Sequence, residues 1–342
     1  MAGRHGPGKG RRRGNLAVDP DVRLRRREEA RRRTRRQRRI ALATLVLAGS
    51  LTLAMVVARG GGGQSARVGG AATAENPPPS PPELPRGGRR ILPDHRVVAF
   101  YGAPQSEELG ALGIGSPAEA GRRLERQARP YARRGRPVLP AFELISTIVH
   151  RSPGADGDFS ERLKPAVIGR YLRAARRRRA LLILDIQPGR SPFMREVRAL
   201  RRWLEQPEVS LALDPEWSMG EGEIPGRSIG STDARTVNEV SAYLSRIVEE
   251  RNLPQKLLLV HRFTADMIED ERALRSHAGV ALTVNVDGFG TAAQKRAKYR
   301  EFTRGRRDRH HGFKLFYRED TNLMSPQQTL RLRPAPDVVA YE

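Results

Sequence analysis

Beyond residue 90 the chain alternates short apolar runs with longer polar stretches. The runs predict strands: RVVAFY (96–101), PVLPAFE (137–143), LLILDIQ (181–187), VSLALDPE (209–216), KLLLVH (256–261), VALTVNVD (280–287), FKLFYRE (313–319) and DVVAYE (337–342). Continuous apolar strands are those buried on both faces, the mark of a parallel sheet. Between them, stretches such as 198–204 and 237–248 repeat apolar residues at helical spacing. This alternation predicts an α/β fold, and eight strands predict a closed (β/α)8 barrel. No stretch after the last run remains for an eighth helix, and the segment before the first strand is expected to cover that side. An open, doubly wound sheet is the alternative. No Gly-x-Gly-x-x-Gly follows the first run, which argues against its dinucleotide-binding form.

The preceding residues have a different pattern. Ile40 to Ala58 is an uncharged stretch of 19 residues. As a helix it would measure about 28 Å, near the thickness of a bilayer's hydrocarbon core. RRRTRRQRR (31–39) stands directly before it, and such a flank favours the cytoplasmic side. Residues 59–93 are rich in Gly and then Pro, the composition of a disordered linker. The expected organisation is therefore a basic cytoplasmic tail (1–39), a single transmembrane anchor (40–58), a linker (59–93) and an extracytoplasmic barrel (94–342). A cleaved signal segment, with secretion of the domain, is the competing expectation.

Of the net charge of +25, residues 1–39 carry +12 and residues 91–342 carry +10. Read along the sequence, the globular charge is mixed rather than gathered on one helix, so no nucleic-acid partner is expected. The chain has no cysteine, which removes disulfides, thiolate metal sites and a lipid-bearing cysteine together. His-x-His and His-Glu-x-x-His spacings are absent, as are phosphate loops, so neither a metal nor another cofactor is expected. His310 and His311 fall in an expected solvated loop.

Nearly every run ends in polar residues: Tyr101, Glu143, Asp185 and Gln187, Asp214 and Glu216, His261, Asn285 and Asp287, Tyr317 and Glu319. The carboxyl ends of barrel strands converge on one mouth, where active sites lie. The strand period of two places Asp214 with Glu216, and Asn285 with Asp287, on one face. Each carboxylate taken singly could as well cap a helix or pair with an arginine. Convergence of Asp185, Asp214 and His261 on a metal is the minor alternative to purely organic chemistry. In Asp214-Pro-Glu216-Trp217 two carboxylates stand beside an indole, and repulsion between them would keep one acid protonated. Trp217 is expected either to stack on a sugar face or to cap the barrel end.

LALDPE (211–216) resembles the end of strand 4 in chitinase-like and lysozyme-like barrel glycosidases, which carry an Asp-x-Glu pair there. The longer chitinase pattern has an Asp where Ala212 stands. The resemblance implies Glu216 as general acid and Asp214 as the group that positions an N-acetyl substituent. Asp287 or Glu319, each from a different strand across the mouth, is expected to serve where a separate nucleophile or base is needed. Trp217, Tyr101, Glu143, Asp185, Gln187, His261, Asn285 and Tyr317 would then contact substrate. RVVAFYG, LPAFELI, LDIQPG, DPEW, NVDGFG and FKLFYRED also resemble a family of exported proteins of high-GC bacteria without an assigned activity. The expectation is a glycoside-hydrolase-like domain acting on a cell-envelope or extracellular polysaccharide. The alternative is a catalytically inactive barrel that binds wall glycan or a protein partner.

Overall fold

The structure, a computed structural model, describes residues 80–306 and 308–342. The basic tail, the apolar segment 40–58 and most of the linker lie outside the described residues. Among the described residues no helix is long and apolar enough to cross a membrane.

Eight parallel strands close into a barrel: β1 (Arg96–Gly102), β2 (Val138–Val149), β3 (Leu181–Ile186), β4 (Val209–Leu213), β5 (Lys256–Arg262), β6 (Val280–Val286), β7 (His310–Leu315) and β8 (Val338–Tyr341). Each pairs with the next in sequence, and β8 returns to β1 with Val97 opposite Val338 and Phe100 opposite Tyr341. All eight sequence runs are therefore strands. The seventh is displaced: β7 starts at His310 and ends at Leu315, three to four residues before the run suggested. The His310–His311 pair opens this strand instead of lying in a solvated loop. His311 is buried, and His310 Nδ1 is 3.0 Å from Asp337 Oδ2.

The helices are α1 (Pro117–Ala128), α2 (Pro165–Arg177), α3 (Phe193–Ala199), α4 (Arg201–Leu204), α5 (Ala234–Glu250), α6 (Ala292–Thr303) and α7 (Pro326–Leu330). Capping boxes start three of them, Ser116 with Glu119, Thr291 with Gln294, and Ser325 with Gln328, each satisfying two otherwise orphaned amide donors. Their apolar stripes meet the outward side chains of the strands in one large cluster. In α1 the buried positions are Ala120, Gly121, Leu124 and Ala128, one face at helical spacing.

Among the described residues, no helix covers the barrel between β5 and β6 or outside β8. Between β5 and β6 lie the short bridge of Ile268–Glu269 to Thr232–Asp233 and the 3-10 turn Glu271–Ala273, and α5 reaches across: Asn238 Nδ2 donates to Ala273 O and Ser245 Oγ to Ala278 O. Outside β8 the cover is aromatic. Tyr341 stacks on Tyr317 at 5.2 Å, meets Phe100 edge-on, and shares a 2.5 Å hydroxyl contact with Tyr131. The segment before β1, expected to cover this side, does something else. Leu84, Ile91 and Leu92 plug the bottom of the barrel, buried against Val97, Leu139, Leu181, Leu257 and Val338 near the strand starts. The packed unit thus begins within the stretch assigned to linker. Gln255 Oε1 fixes the plug by accepting from Ile91 N and Leu92 N.

Candidate functional site

The interior is layered by the strand period. Its lower part is small and apolar: Val97, Ala99, Leu139, Ala141, Leu181, Ile183, Ala212, Leu257, Leu259, Ala281 and Ala340 form one buried cluster with the plug. Two residues further along each strand, on the same face, the side chains become polar. Tyr101, Glu143, Asp185, Asp214, His261, Asn285, Lys314 and Glu342 thereby come one from each strand or the residue just beyond it. The mouth expected from the sequence is assembled, and every one of these side chains except Glu342 is buried.

Hydrogen bonds divide this ring into two linked parts. In the first, the Tyr101 hydroxyl is 3.3 Å from Asp185 Oδ2 and 3.4 Å from Asp214 Oδ2, and Gln187 Nε2 donates to the Tyr101 oxygen at 2.9 Å and to Asp214 Oδ2 at 3.2 Å. Burial, reinforced by the Asp214 charge, pushes the Asp185 carboxyl well above its usual 3.8, which favours its protonated form. Tyr101 has one proton to give; a protonated Asp185 supplies the other hydrogen bond and leaves Tyr101 free to donate to Asp214. In the second part, His261 Nε2 is 2.8 Å from Glu143 Oε1 and Nδ1 is 3.0 Å from Asp287 Oδ2, with the Asn285 amide 3.3 Å from Nδ1. Burial and the Lys314 ammonium depress the imidazole, but the Asp287 and Glu143 carboxylates outweigh them and hold it well above 6.5. Each ring nitrogen faces a carboxylate oxygen, and the upward shift favours the form in which both donate. This occupies His261, so Asp185, Asp214 and His261 come together without a free imidazole nitrogen for a metal. Among the described residues no group of three or more histidines and acids is arranged to hold one.

Lys314 joins the two parts and was not anticipated. Its ammonium donates to Asp287 Oδ2 at 3.1 Å, pairs with Glu342 Oε2 at 2.8 Å and lies 3.6 Å from the centroid of the Tyr101 ring. The available signal was a lysine between Phe313 and Leu315, an interior position by strand parity. Gly312 precedes it on β7 because a Cβ there would collide with Asn285 Oδ1. Behind the ring, Lys295 of α6 donates to Gly288 O and Lys314 O, both at 2.8 Å, and pairs with Asp320; burial lowers its pKa to about 8. It ties the Asp287–Gly288 turn to β7.

Other expectations are corrected. The chain leaves β4 at Leu213 and enters a 3-10 turn, Pro215–Trp217, so Asp214 and Glu216 do not share a strand face. The like-charge pair with one raised pKa is Asp185 with Asp214. Glu216 is buried in that turn, and its carbonyl accepts from Gly230 N at 2.8 Å. Trp217 has 0% exposure and packs on Val149, so in this conformation it offers no face to a sugar. Tyr317 and Glu319 lie beyond β7. Tyr317 is 41% exposed and donates to Gln127 Oε1, and with Glu319, Glu107 and Glu342 it lines a shallow cleft on the rim.

Three carboxyl oxygens of the ring, Glu143 Oε2, Asp185 Oδ1 and Asp214 Oδ1, are buried and accept no hydrogen bond among the described residues. They come from consecutive strands and suit donors such as hydroxyls. Beside the mouth runs a groove of about 680 Å³, lined by Gly230, Ser231, Phe263, Met267, Lys298 and Phe302 among others. Lys298 links groove to ring, donating to Phe263 O at 3.0 Å and Asp287 O at 3.4 Å.

No family model matches the chain, and no curated protein matches it. A solved structure of a hyperthermophilic endo-β-1,4-glucanase in complex with substrate is similar over 60% of this chain and 77% of that one, at 9% identity and a TM-score of 0.32. A likeness of that order is too slight to bear on chemistry.

Proposed function

We propose that the domain is a glycoside-hydrolase-like barrel that cleaves a cell-envelope or extracellular polysaccharide by general acid catalysis. The observation that carries this reading is the placing of Asp185 and Asp214 on either side of the Tyr101 hydroxyl at the strand carboxyl ends, with the Asp185 carboxyl raised by burial and by Asp214. Glycoside hydrolysis needs one carboxyl that gives a proton to the leaving oxygen and a second that acts as base or nucleophile. Asp185 supplies the proton and Asp214 the second carboxyl. Tyr101 passes a proton between them when the pair resets. The unpartnered oxygens of Glu143, Asp185 and Asp214 accept sugar hydroxyls. Glu216, on the turn roofing the mouth, is the competing acid, and Asp287 with Glu319 the competing second group. The groove with Phe263 and Phe302 receives the chain of sugars. Residues 40–58 hold the domain at the membrane.

A second reading has its own support. The ring is closed over: among its expected members Asp185, Gln187, His261 and Asn285 have 0% exposure and Glu216 has 5%. A barrel that stays closed would bind glycan in the groove without cutting it.

The test is release of reducing ends from a panel of wall and capsular glycans by the full chain, with Asp185→Asn, Asp214→Asn and Glu216→Gln in parallel. Loss of general acid catalysis typically costs about 10²–10⁴-fold in rate, and Asp185→Asn should lose that much while still binding. If Glu216→Gln loses the rate and Asp185→Asn does not, the acid is Glu216. If wild type binds a glycan and cleaves none, the second reading stands.

A further inference from the structure

The mouth loops carry exposed charges of both signs, Glu107, Asp156, Glu161, Glu221 and Asp266 beside Arg162, Lys164, Arg190, Arg227 and Arg318. The opposite end, where the plug enters, gathers exposed guanidinium groups in one quadrant. Arg126 closes α1; Arg129, Arg133 and Arg134 follow it; Arg177 and Arg179 end α2 and its turn. Arg86 of the plug lies between the two clusters, bonded to Arg179 O and to Val138 O, which makes the patch continuous. Its acids are Glu83 and Glu125, and Glu125 is bridged to Arg178. Among the described residues Arg126, Arg129, Arg134 and Arg177 form no ion pair. The charge is mixed along the sequence, and the fold gathers these arginines in one place.

Cations at helix carboxyl ends complement the helix dipole, and Arg126 and Arg177 serve that purpose. Arg129 is the cap of α1 and serves the same end, but Arg86, Arg133 and Arg134 stand outside the helices, so the dipole does not account for them. We propose that this quadrant of the barrel base is a docking surface for anionic lipid headgroups, holding the base against a bilayer with the mouth facing away. Two features select a bilayer over other polyanions. The patch is spread over two helix ends, the turns after them and the plug, an area rather than a single file of cations. The chain also enters the domain at this same end, at the plug, and the residues before it include the uncharged stretch 40–58 with arginines directly ahead of it. The inference does not require that stretch to be the anchor. A basic residue beside an anionic leaflet adds about fivefold to binding, and the effect falls off within a Debye length.

The chain has no cysteine, so single introduced cysteines report position cleanly. The full chain is labelled at Ala132→Cys on the base or Ser152→Cys on a mouth loop, both exposed positions. Energy transfer to an acceptor lipid is read in phosphatidylcholine vesicles with and without phosphatidylglycerol. The Ala132 dye should approach the lipid only when phosphatidylglycerol is present, and withdraw in high salt, while the Ser152 dye stays distant. The combined Arg126→Gln, Arg129→Gln, Arg134→Gln and Arg177→Gln variant should lose at least a hundredfold in dependence on anionic lipid. Attachment to pure phosphatidylcholine, measured by flotation, reports residues 40–58 separately. Equal approach on neutral vesicles, approach of the mouth dye, or an unchanged variant would each overturn the proposal. So would binding of soluble polyphosphate that depends on the four arginines while anionic vesicles are ignored; that outcome assigns the patch to a polymer.

Discussion

Replacing Lys314 by Met tests whether the mouth is held by charge. Met keeps the length and can still pack on the Tyr101 ring, but it removes the cation shared by Asp287 and Glu342. The two acids then fare differently. Glu342 is 17% exposed at its side chain and can turn toward water, so its loss is small. Asp287 is 2% exposed and stays buried, keeping His261 Nδ1 at 3.0 Å and Gly288 N at 2.6 Å. Removing one member of a buried pair usually costs about 3–5 kcal/mol, and the bonds left to Asp287 put this case near 3. Losing the ammonium from the Tyr101 face adds about 1 kcal/mol. A total near 4 kcal/mol lowers the melting temperature of a domain this size by roughly 8–16 °C. Urea unfolding of the full chain followed by far-ultraviolet circular dichroism gives the number. Adding Asp287→Asn to Lys314→Met removes the stranded charge and should recover about 1 kcal/mol or more. A loss below about 1 kcal/mol in the single variant, or no recovery in the double, would refute the claim that these charges are coupled.

The ring also fixes a pH dependence. Folded His261 lies well above 6.5, so its contribution is complete below pH 6.5 and is lost as pH rises through the folded value; folded Asp185 lies above 3.8, so the unfolded chain alone releases that proton above pH 3.8 and stability falls in the same direction. Asp337 has the opposite sign, held to about 2 by His310 and Arg136 against its own burial, and protects the fold above pH 3.8 until pH drops toward 2. Buried Lys256 and Lys295, lowered to about 7 and about 8, work the other way at higher pH, so the His261 contribution is read as the difference in melting temperature between wild type and His261→Gln; that difference should shrink as pH rises above 6.5, and a difference that grows would contradict the raised imidazole. Trp217→Ala should cost about 3–5 kcal/mol because a fully buried indole is removed. In a Trp203→Phe background Trp217 is the chain's remaining tryptophan, and its fluorescence should resist iodide; quenching at the rate of a free indole would place it at the surface.

Eight strands and the mouth at their ends were legible because an interior position repeats every second residue and a polar residue at the end of an apolar run stands out. What was hidden lay where that rule breaks. Pro215 cannot donate to a ladder, and the chain turns there, so the apparent pairing of Asp214 and Glu216 along one strand dissolved. Lys314 and Glu342 were passed over because a lone lysine in an apolar run, or a final acid, reads as solvated until the register of β7 and β8 is known. The missing helix between β5 and β6 has a similar cause. Residues 263–279 are long enough for one, and only the tertiary reach of α5 makes it unnecessary.

Closure of the barrel by β8 has a consequence for how the domain is made. The strand that completes the ring spans Val338–Tyr341, and one of its two neighbours, β1, begins at Arg96. Pairing across so much intervening chain pays its loop entropy late, and contacts of this separation slow folding. Until synthesis has delivered Val338–Tyr341, β1 and β7 each present an open edge, and an open edge is a template for another chain. The half-made protein is thus the sticky one, and its exposure lasts as long as translation from β1 to β8.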